Sequence, residues 1–286
     1  MTLAEFIYTT VLKPRPLRRA ANAAIRAVLP AHIRSGDATV WLNPDDPVVS
    51  GALTFGVYER GEIAFFRSQF AAGMTFVDIG ANVGLYSALA LSTAGFHGRV
   101  LAVEPHGESR RYLEKTIDSN RPAAPGAALI CALAASDRAE TLTLYQNPEN
   151  KGDNRLYADA LLRAGETVGA DTLDSICRGC GIASAQFIKI DVQGAEAKVM
   201  RGATDLLARS RDCLLMTEFW PYGLSRCGDD ALRYLETLQD LGFRLYELSG
   251  KRGTLAPVAS ASALVKRTHG RRYANLVGMK GDILAP

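Results

Sequence analysis

The sequence predicts an α/β protein in which a mainly parallel sheet carries helices on both faces. Short runs of β-branched and aromatic residues alternate with helical patterns along most of the chain, which is typical of strand–helix–strand units. The run F-V-D-I-G-A-N-V-G at residues 76–84 ends in a glycine-containing turn that leads directly into an apolar helical pattern. The last two strand patterns have no helix between them, so we expect that pair to be antiparallel.

Length and composition indicate one sizeable domain with an appendage. The chain has 286 residues, of which 48% are hydrophobic and 22% charged, and its net charge is +3. A charge this small gives no reason to expect a nucleic-acid partner. The five cysteines have no disulfide-framework spacing, nothing resembles a signal peptide, and no apolar run reaches the length of a membrane span. We therefore expect a cytoplasmic protein with reduced thiols, in which Cys177 and Cys180 are neither zinc ligands nor a redox pair.

Residues 1–50 are predicted to form an N-terminal arm with one short strand, ahead of a domain over residues 51–286. Residues 20–29 have the pattern of a basic amphipathic helix. Such a helix can rest on an anionic membrane surface, or it can pack on the domain or on a partner subunit, as in a homodimer. We favour the packing interpretation. An organellar targeting sequence is a weaker alternative, because serine is scarce in this segment.

The predicted elements of the domain follow one another in alternation. Helical patterns cover residues 58–72, 85–95, 108–120, 173–177, 195–208 and 229–241. Strand patterns cover residues 38–42, 76–79, 99–104, 128–133, 141–145, 186–191, 213–219, 243–248 and 275–280. Residues 147–169 are polar and predict a long functional or mobile loop, and residues 251–272 predict a basic loop.

Acidic residues follow the predicted strands at the edge of the sheet where ligands bind in such folds. Glu104, about 20 residues after the glycine turn, is placed to accept hydrogen bonds from both ribose hydroxyls of a dinucleotide or of S-adenosylmethionine. A dinucleotide site has the spacing G-x-G-x-x-G, whereas here Gly80 and Gly84 are separated by three other residues. Asp78 suits a cationic ligand better than a pyrophosphate. The pattern favours S-adenosylmethionine, with a dinucleotide-dependent oxidoreductase as the alternative.

The two glycines of this turn are expected to leave backbone N–H groups bare against the ligand. A Cβ at Gly80 or Gly84 would then keep the ligand away.

Together with four further segments, the turn makes the chain resemble the FkbM family of S-adenosylmethionine-dependent O-methyltransferases. The matching segments are F-V-D-I-G-A-N-V-G at 76–84, V-E-P at 103–105, A-A-S-D at 134–137, T-L-D at 172–174 and I-K-I-D-V-Q-G-A-E at 188–196. The first is common to many methyltransferases, and the last two are the specific ones. The resemblance covers residues 58–280. The family commonly has glutamate where this chain has Gln193.

The resemblance implies a Rossmann-like class I methyltransferase fold, with a mainly parallel seven-stranded sheet whose last strand is reversed. It implies S-adenosylmethionine as the cofactor, with Asp78 near its amino group, Glu104 on the ribose, and Ser136 and Asp137 at the adenine. The full implied set of cofactor-binding residues is Asp78, Gly80, Ala81, Asn82, Gly84, Glu104, Ser136 and Asp137. Tyr58 and Glu59 match a Y-E pair of such sequences that either helps to close the cofactor site or forms an ordinary helix start.

Two carboxylates are the candidates for catalysis. Asp191 ends the fourth strand beside the expected position of the methyl group, so it is the first candidate for general base or acceptor-orienting group. Glu218 at the end of the next strand is the second, and His106 is a third. A divalent cation such as Mg²⁺, held by Asp191, Glu218 and a third oxygen, is an open alternative.

The acceptor that the resemblance implies is a hydroxyl of a small molecule, sugar or glycan. We expect its contacts from the loop at residues 147–169 and from the segment after the fifth strand, namely from Asn154, Arg155, Trp220 and Tyr222. Plain packing of the two aromatic residues is an equal alternative. A methyltransferase-like fold that binds without catalysing also stays open.

Overall fold

The computed structural model of the chain describes residues 15–121, 127–148, 150–159 and 162–283. The strands of these residues form a hairpin, a three-stranded sheet and a central eight-stranded sheet. They are β1 (His32–Ser35), β2 (Ala38–Trp41), β3 (Thr75–Ile79), β4 (Arg99–Val103), β5 (Ala128–Cys131), β6 (Ala134–Ser136), β7 (Glu140–Gln146), β8 (Arg163–Thr172), β9 (Phe187–Ile190), β10 (Cys213–Phe219), β11 (Arg244–Ser249), β12 (Thr254–Pro257) and β13 (Ala274–Lys280).

The central sheet has the order β12-β11-β13-β10-β9-β3-β4-β5. The five strands from β10 to β5 are parallel, whereas β13 is antiparallel to both β10 and β11. The predicted Rossmann-like fold and the antiparallel final pair are therefore confirmed, and β12 adds an eighth strand at the edge. The chain order reverses at β3, which has β4 on one side and β9 on the other. In such sheets this switch point is where ligands bind.

Helices cover both faces of the central sheet. They are α1 (Arg15–Val28), α2 (Pro47–Thr54), α3 (Arg60–Gln69), α4 (Leu85–Leu91), α5 (Gly107–Ser119), α6 (Leu173–Gly179), α7 (Glu196–Arg201), α8 (Thr204–Arg209), α9 (Pro221–Arg226), α10 (Ala231–Asp240) and α11 (Ala261–Arg267). One buried cluster contains Leu173 and Leu206, and the cluster on the other face contains Phe66 and Leu113. The helix predicted over residues 195–208 is divided at Gly202, where a Cβ would lie 2.0 Å from the Ser136 carbonyl oxygen.

The segment predicted as an arm packs closely on the rest of the fold. The backbone N–H of Trp41 in β2 donates to Thr116 Oγ1 of α5 at 3.0 Å, and that of Thr39 donates to Asn120 Oδ1 at 2.9 Å. Helix α2 crosses the boundary predicted between residues 50 and 51, and most of its residues are buried. The predicted basic helix lies largely within α1, and residues 1–14 lie outside the described residues. No helix of the described ranges combines the length and the apolar character that a membrane span requires.

Two segments predicted as loops contain regular structure. Within residues 147–169, β8 begins at Arg163 and pairs antiparallel with β7, for example Leu142 with Val168. Within residues 251–272, β12 and α11 both form. The loop predictions were therefore wrong from Arg163 onward and over β12 and α11. These elements are short or largely exposed, so few buried positions mark their apolar periodicity.

The T-L-D segment caps two helices. Thr172 Oγ1 accepts the backbone N–H of Ser175 at 3.1 Å and so caps α6. The buried carboxylate of Asp174 accepts the N–H groups of Asp205 at 2.9 Å and of Leu206 at 2.7 Å in the first turn of α8. The motif therefore joins β8 to two helices of one face.

Asp174→Ala is expected to lower the free energy of unfolding by about 2 kcal/mol, because it leaves two helix N–H groups without a partner. Urea denaturation measures the change. Asp205→Ala is the matched control: it removes an exposed ion pair with Arg178 at 3.6 Å and a carboxylate in the first turn of α8, and each contributes less than about 1 kcal/mol. Equal losses in the two variants would contradict the capping role of Asp174.

Candidate functional site

A large cleft opens at the carboxyl edge of β3, β4 and β9. Its empty volume is about 940 Å³ including open solvent, which is in the range of small-molecule sites. We call it the first cavity. The predicted cofactor-binding residues that line it are Asp78, Gly80, Ala81, Asn82 and Glu104. The apolar walls are formed by Val49 of the predicted arm and by Leu53, Tyr58, Leu144 and Leu156.

The glycines of the turn are required by the protein itself. Gly80 has φ +78°, and a Cβ there would lie 1.9 Å from the Asp191 carbonyl oxygen. Gly84 has φ +86°, and a Cβ would lie 2.6 Å from Leu113 Cδ1. Both conformations favour glycine. A Cβ at Gly80 would collide with the residue that follows β9, and one at Gly84 would collide with α5. That a Cβ here would also keep a ligand away stays a prediction.

Glu104 is a buried carboxyl that orders the turn. Its Oε2 accepts the backbone N–H of Asn82 at 2.8 Å, and its Oε1 accepts that of His106 at 2.9 Å. Burial raises the pKa of Glu104 to about 7, although these two N–H groups act in the opposite direction. The side chain lines the first cavity at the end of β4, which is where the sequence places it.

Two buried oxygen atoms of the first cavity have no hydrogen-bond partner in the protein. Asp78 Oδ2 accepts both the N–H and the hydroxyl of Ser87 in α4, at 3.1 and 2.7 Å, whereas its Oδ1 is unpaired. Asn82 Oδ1 is also unpaired, and this residue has φ +49°. Buried acceptors without a donor are costly, so the arrangement suits a ligand that brings donors such as an ammonium group.

The two residues expected at an adenine, Ser136 and Asp137, do not line the first cavity. Ser136 is buried, and its hydroxyl donates to Glu140 Oε1 at 3.3 Å. Asp137 is paired with Arg201, whose Nη2 lies 2.9 Å from its Oδ2. Neither side chain lines the first cavity, whose wall at this point is formed by Ala134 and Ala135. Asp137 Oδ1 is buried without a hydrogen-bond partner in the protein. The adenine contacts of Ser136 and Asp137 therefore stay a prediction.

A second cavity adjoins the first. It has an empty volume of about 630 Å³ including open solvent, and it lies at the ends of β9, β10 and β13. Lys189 and Asp191 line both cavities and so mark their junction. The other polar side chains of the second cavity are Glu59, Glu62, Thr217, Glu218, Tyr273 and Asn275.

Lys189 is a buried cation between several carboxylates. Its Nζ lies 3.4 Å from Asp191 Oδ2 and 4.8 Å from the centre of the Tyr86 ring. Burial alone would lower the pKa of Lys189, but the charges of Asp191, Glu59 and Asp78 raise it well above its usual value. Lys189 is therefore a permanent ammonium and not a candidate base.

Glu59 connects the start of α3 to this junction. Its Oε2 accepts the hydroxyl of Tyr86 at 2.7 Å, and the residue has φ +37°. Burial raises the pKa of Glu59, and Lys189 acts in the opposite direction.

The two candidate catalytic carboxylates are joined by one amide. Gln193 Nε2 lies 2.8 Å from Asp191 Oδ1 and 3.1 Å from Glu218 Oε2. Burial, followed by the charges of Asp191 and Glu196, raises the pKa of Glu218 well above its usual value. This environment favours the protonated form of Glu218 more than that of an exposed glutamate. Asp191 and Glu218 lie together, as the sequence predicts, but their electrostatic environments differ.

The predicted acceptor-binding residues do not lie together at a cavity. Asn154 lines the first cavity, and its Oδ1 accepts the N–H of Asn147 at 3.1 Å. Arg155 donates to Asp153 at 2.7 and 2.9 Å, and its guanidinium lies 4.8 Å from the centre of the Trp220 ring. Tyr222 donates to Asp159 at 3.1 Å. Arg155, Trp220 and Tyr222 line neither cavity. Their contacts join the segment at residues 150–159 to the start of α9, which favours the packing alternative for Trp220 and Tyr222, and a contact of these residues with the acceptor stays a prediction.

The structure also bears on His106 as a third catalytic candidate and on a metal site. His106 caps α5 and is held by Ser109, with Nδ1 and Oγ 2.9 Å apart, and it lines neither of the two cavities. Across the part of the chain that the structure describes, no three His, Cys, Asp or Glu side chains come together as a metal site.

Lys189 and Gln193 were not predicted to belong to this junction. The available signal was a charged residue inside the buried strand β9, because a buried ammonium needs a partner.

The chain matches one protein-family model and shows similarity to several proteins. Residues 78–245, more than half of the chain, match the model of the methyltransferase FkbM domain. The AMB antimetabolite synthetase AmbE of Pseudomonas aeruginosa is 31% identical over 174 residues, which cover 49% of this chain and 8% of AmbE. Methyltransferase sdnD of Sordaria araneosa is 27% identical over 158 residues, which cover 45% of this chain and 60% of sdnD. The match therefore spans less than two thirds of the length of either relative.

A solved structure is similar over most of the chain. Methyltransferase FkbM from Methylobacillus flagellatus KT aligns over 93% of this chain and 60% of its own, with 14% sequence identity and a TM-score of 0.47.

The free energy of unfolding of the ligand-free protein is expected to fall as the pH rises from about 5 to about 8. Burial raises the pKa of Glu104 and of Glu196 from 4.5 to about 7, so the folded state keeps protons that the unfolded chain releases. Each group contributes up to about 3 kcal/mol over this window. Urea denaturation at a series of pH values measures the slope. Glu104→Gln should make it shallower, whereas the exposed control Glu114→Gln should keep it; an unchanged slope in Glu104→Gln would contradict the account.

Proposed function

The chain belongs to the methyltransferase FkbM family, and we propose that it transfers a methyl group from S-adenosylmethionine to a hydroxyl of a small molecule, sugar or glycan. The observation that supports this most is the meeting of the two cavities at Lys189 and Asp191. A methyl donor in the first cavity and a hydroxyl in the second face each other beside one carboxylate.

The residues of the first cavity fit the cofactor. The unpaired Asp78 Oδ1 and Asn82 Oδ1 offer two acceptors to an ammonium group. Glu104 offers a carboxylate to ribose hydroxyls at the end of β4. S-adenosylmethionine would supply a methyl group bound to a sulfonium, and the leaving group is a neutral thioether.

Asp191 is the general base of the proposal. A hydroxyl must lose a proton as it is methylated, and a carboxylate at the junction can accept it. Glu218 suits this role less, because burial and the charges of Asp191 and Glu196 raise its pKa and favour its protonated form. Holding the hydroxyl in line with the donor can lower the barrier by roughly 7–11 kcal/mol, and general base catalysis contributes about 10²–10⁴-fold in rate.

Two alternative functions are a dinucleotide-dependent oxidoreductase and a methyltransferase-like protein that binds without catalysing. Family membership favours a methyltransferase over a dinucleotide-dependent oxidoreductase. Only a measurement of turnover distinguishes an enzyme from a protein that binds the cofactor without catalysing methyl transfer. The homodimer, the membrane contact of the arm and the cytoplasmic location remain predictions from the sequence.

Asp191→Asn is expected to lower kcat at least about 100-fold, because an amide cannot accept the proton. The dissociation constant for S-adenosylmethionine should stay within about threefold, since Glu104 and Asp78 are intact. Methyl transfer is measured with labelled cofactor and a panel of sugars, glycans and small alcohols, and binding by calorimetry. The exposed control Asp240→Asn should keep both values. Normal turnover in Asp191→Asn would reject its role, and a wild-type protein that methylates only amines or carbon would reject the hydroxyl acceptor.

Glu104→Ala is expected to weaken the binding of S-adenosylmethionine, which Asp191→Asn leaves nearly unchanged. It removes a carboxylate acceptor from the first cavity, so binding of S-adenosylmethionine should weaken at least about tenfold. Calorimetry with S-adenosylhomocysteine and with NADH completes the comparison. Binding of NADH in preference to both sulfur compounds would contradict the cofactor assignment.

A further inference from the structure

The side-chain amide of Gln193 lies between the two carboxyl groups of the junction. Its Nε2 is 2.8 Å from Asp191 Oδ1 and 3.1 Å from Glu218 Oε2. An amide nitrogen carries two N–H donors, so one nitrogen can serve both carboxyl groups at once. Two carboxyl groups that share one partner repel each other when both are ionised, and a proton, a donor or a cation between them reduces this repulsion.

The backbone around Gln193 is held in place by the side chain of Glu196. Gln193 has φ +54°, a conformation that a residue other than glycine adopts only when its surroundings stabilise it. The buried carboxylate of Glu196 accepts the N–H of Val192 at 3.3 Å and that of Gly194 at 3.0 Å. Glu196 therefore fixes the residues immediately before and after Gln193.

Asp191 is then held at both of its oxygen atoms. Gln193 donates to Oδ1, and Lys189 lies 3.4 Å from Oδ2 on the opposite side. The carboxylate is fixed in direction at the junction of the two cavities. The charged and titratable groups around this pair are Glu59, Glu62, Asp78, Lys189, Glu196 and Tyr273.

We propose that Gln193 is a positioning residue that takes the place of a bridging cation between Asp191 and Glu218, so that this pair acts without a divalent metal. The inference rests on the proposed function, because it assigns how the general base of that reaction is oriented. A carboxylate at position 193 would instead place three acidic groups around one point, and an oxygen-ligand set of this kind binds Mg²⁺ or Mn²⁺.

Gln193→Glu and Gln193→Met are matched tests, since both keep the length of the side chain and the unbranched Cβ at this φ. Gln193→Met removes the donor, and Gln193→Glu removes the donor and adds a charge. We expect kcat to fall about tenfold or more in Gln193→Met and further in Gln193→Glu, with KM for the acceptor changing by less than about threefold. Millimolar Mg²⁺ or Mn²⁺ should restore part of kcat in Gln193→Glu alone.

Direct titration with Mn²⁺ gives a readout that does not depend on activity. Gln193→Glu should bind one Mn²⁺, whereas the wild type and Gln193→Met should bind none at the same concentration. The exposed substitution Gln239→Glu is the control for an added surface charge. Binding of S-adenosylhomocysteine shows that each variant is folded; if Gln193→Glu does not fold, the kcat of Gln193→Met decides, and a value within twofold of wild type overturns the proposal.

Three other results would also overturn it. They are a kcat within twofold of wild type in Gln193→Glu, a wild type that binds Mn²⁺ as tightly as Gln193→Glu, and equal losses in both variants with no response to the metal. Failure of the proposed function is a separate result: the wild type then methylates no hydroxyl, while the Mn²⁺ titration still tests the bridge.

Discussion

The close approach of Gly80 to the Asp191 carbonyl oxygen is the contact on which the site depends. Strands β3 and β9 are parallel neighbours with Ile79 opposite Ile190, and the N–H of Asp191 donates to the Ile79 carbonyl at 2.9 Å. A Cβ at residue 80 would lie 1.9 Å from the Asp191 oxygen and push the two strand ends apart. The glycine therefore places the turn that lines the first cavity directly beside the carboxylate of the junction.

Charge balance is the second constraint on this region. Several carboxyl groups end the strands, and Lys189 is the one ammonium that both cavities share among the described residues. Burial raises the pKa of Glu59, Glu104 and Glu218, which favours their protonated forms and so reduces the repulsion between these groups. Gln193 and backbone N–H groups supply neutral donors to Asp191, Glu218 and Glu104.

The fold could be predicted because strand and helix patterns depend on local sequence. The antiparallel last strand was predicted correctly but for a wrong reason, because β12 and α11 lie between β11 and β13. The positions of Asp78, Glu104 and Asp191 followed from the same pattern, since the ends of parallel strands share one edge. Ser136, Asp137, Arg155, Trp220 and Tyr222 could not be placed in this way. Several of their polar groups pair with groups that are distant in sequence, such as Asp137 Oδ2 with Arg201 and the Tyr222 hydroxyl with Asp159. Sequence order does not indicate which partner a polar side chain finds.

A crystal structure of the protein with S-adenosylhomocysteine and a sugar alcohol tests the central claim most directly. The account predicts that the ribose hydroxyls bind Glu104, that the sulfur faces the junction, and that the acceptor hydroxyl in the second cavity contacts Asp191. A sulfur that points away from Asp191, or an acceptor bound outside the second cavity, would contradict it.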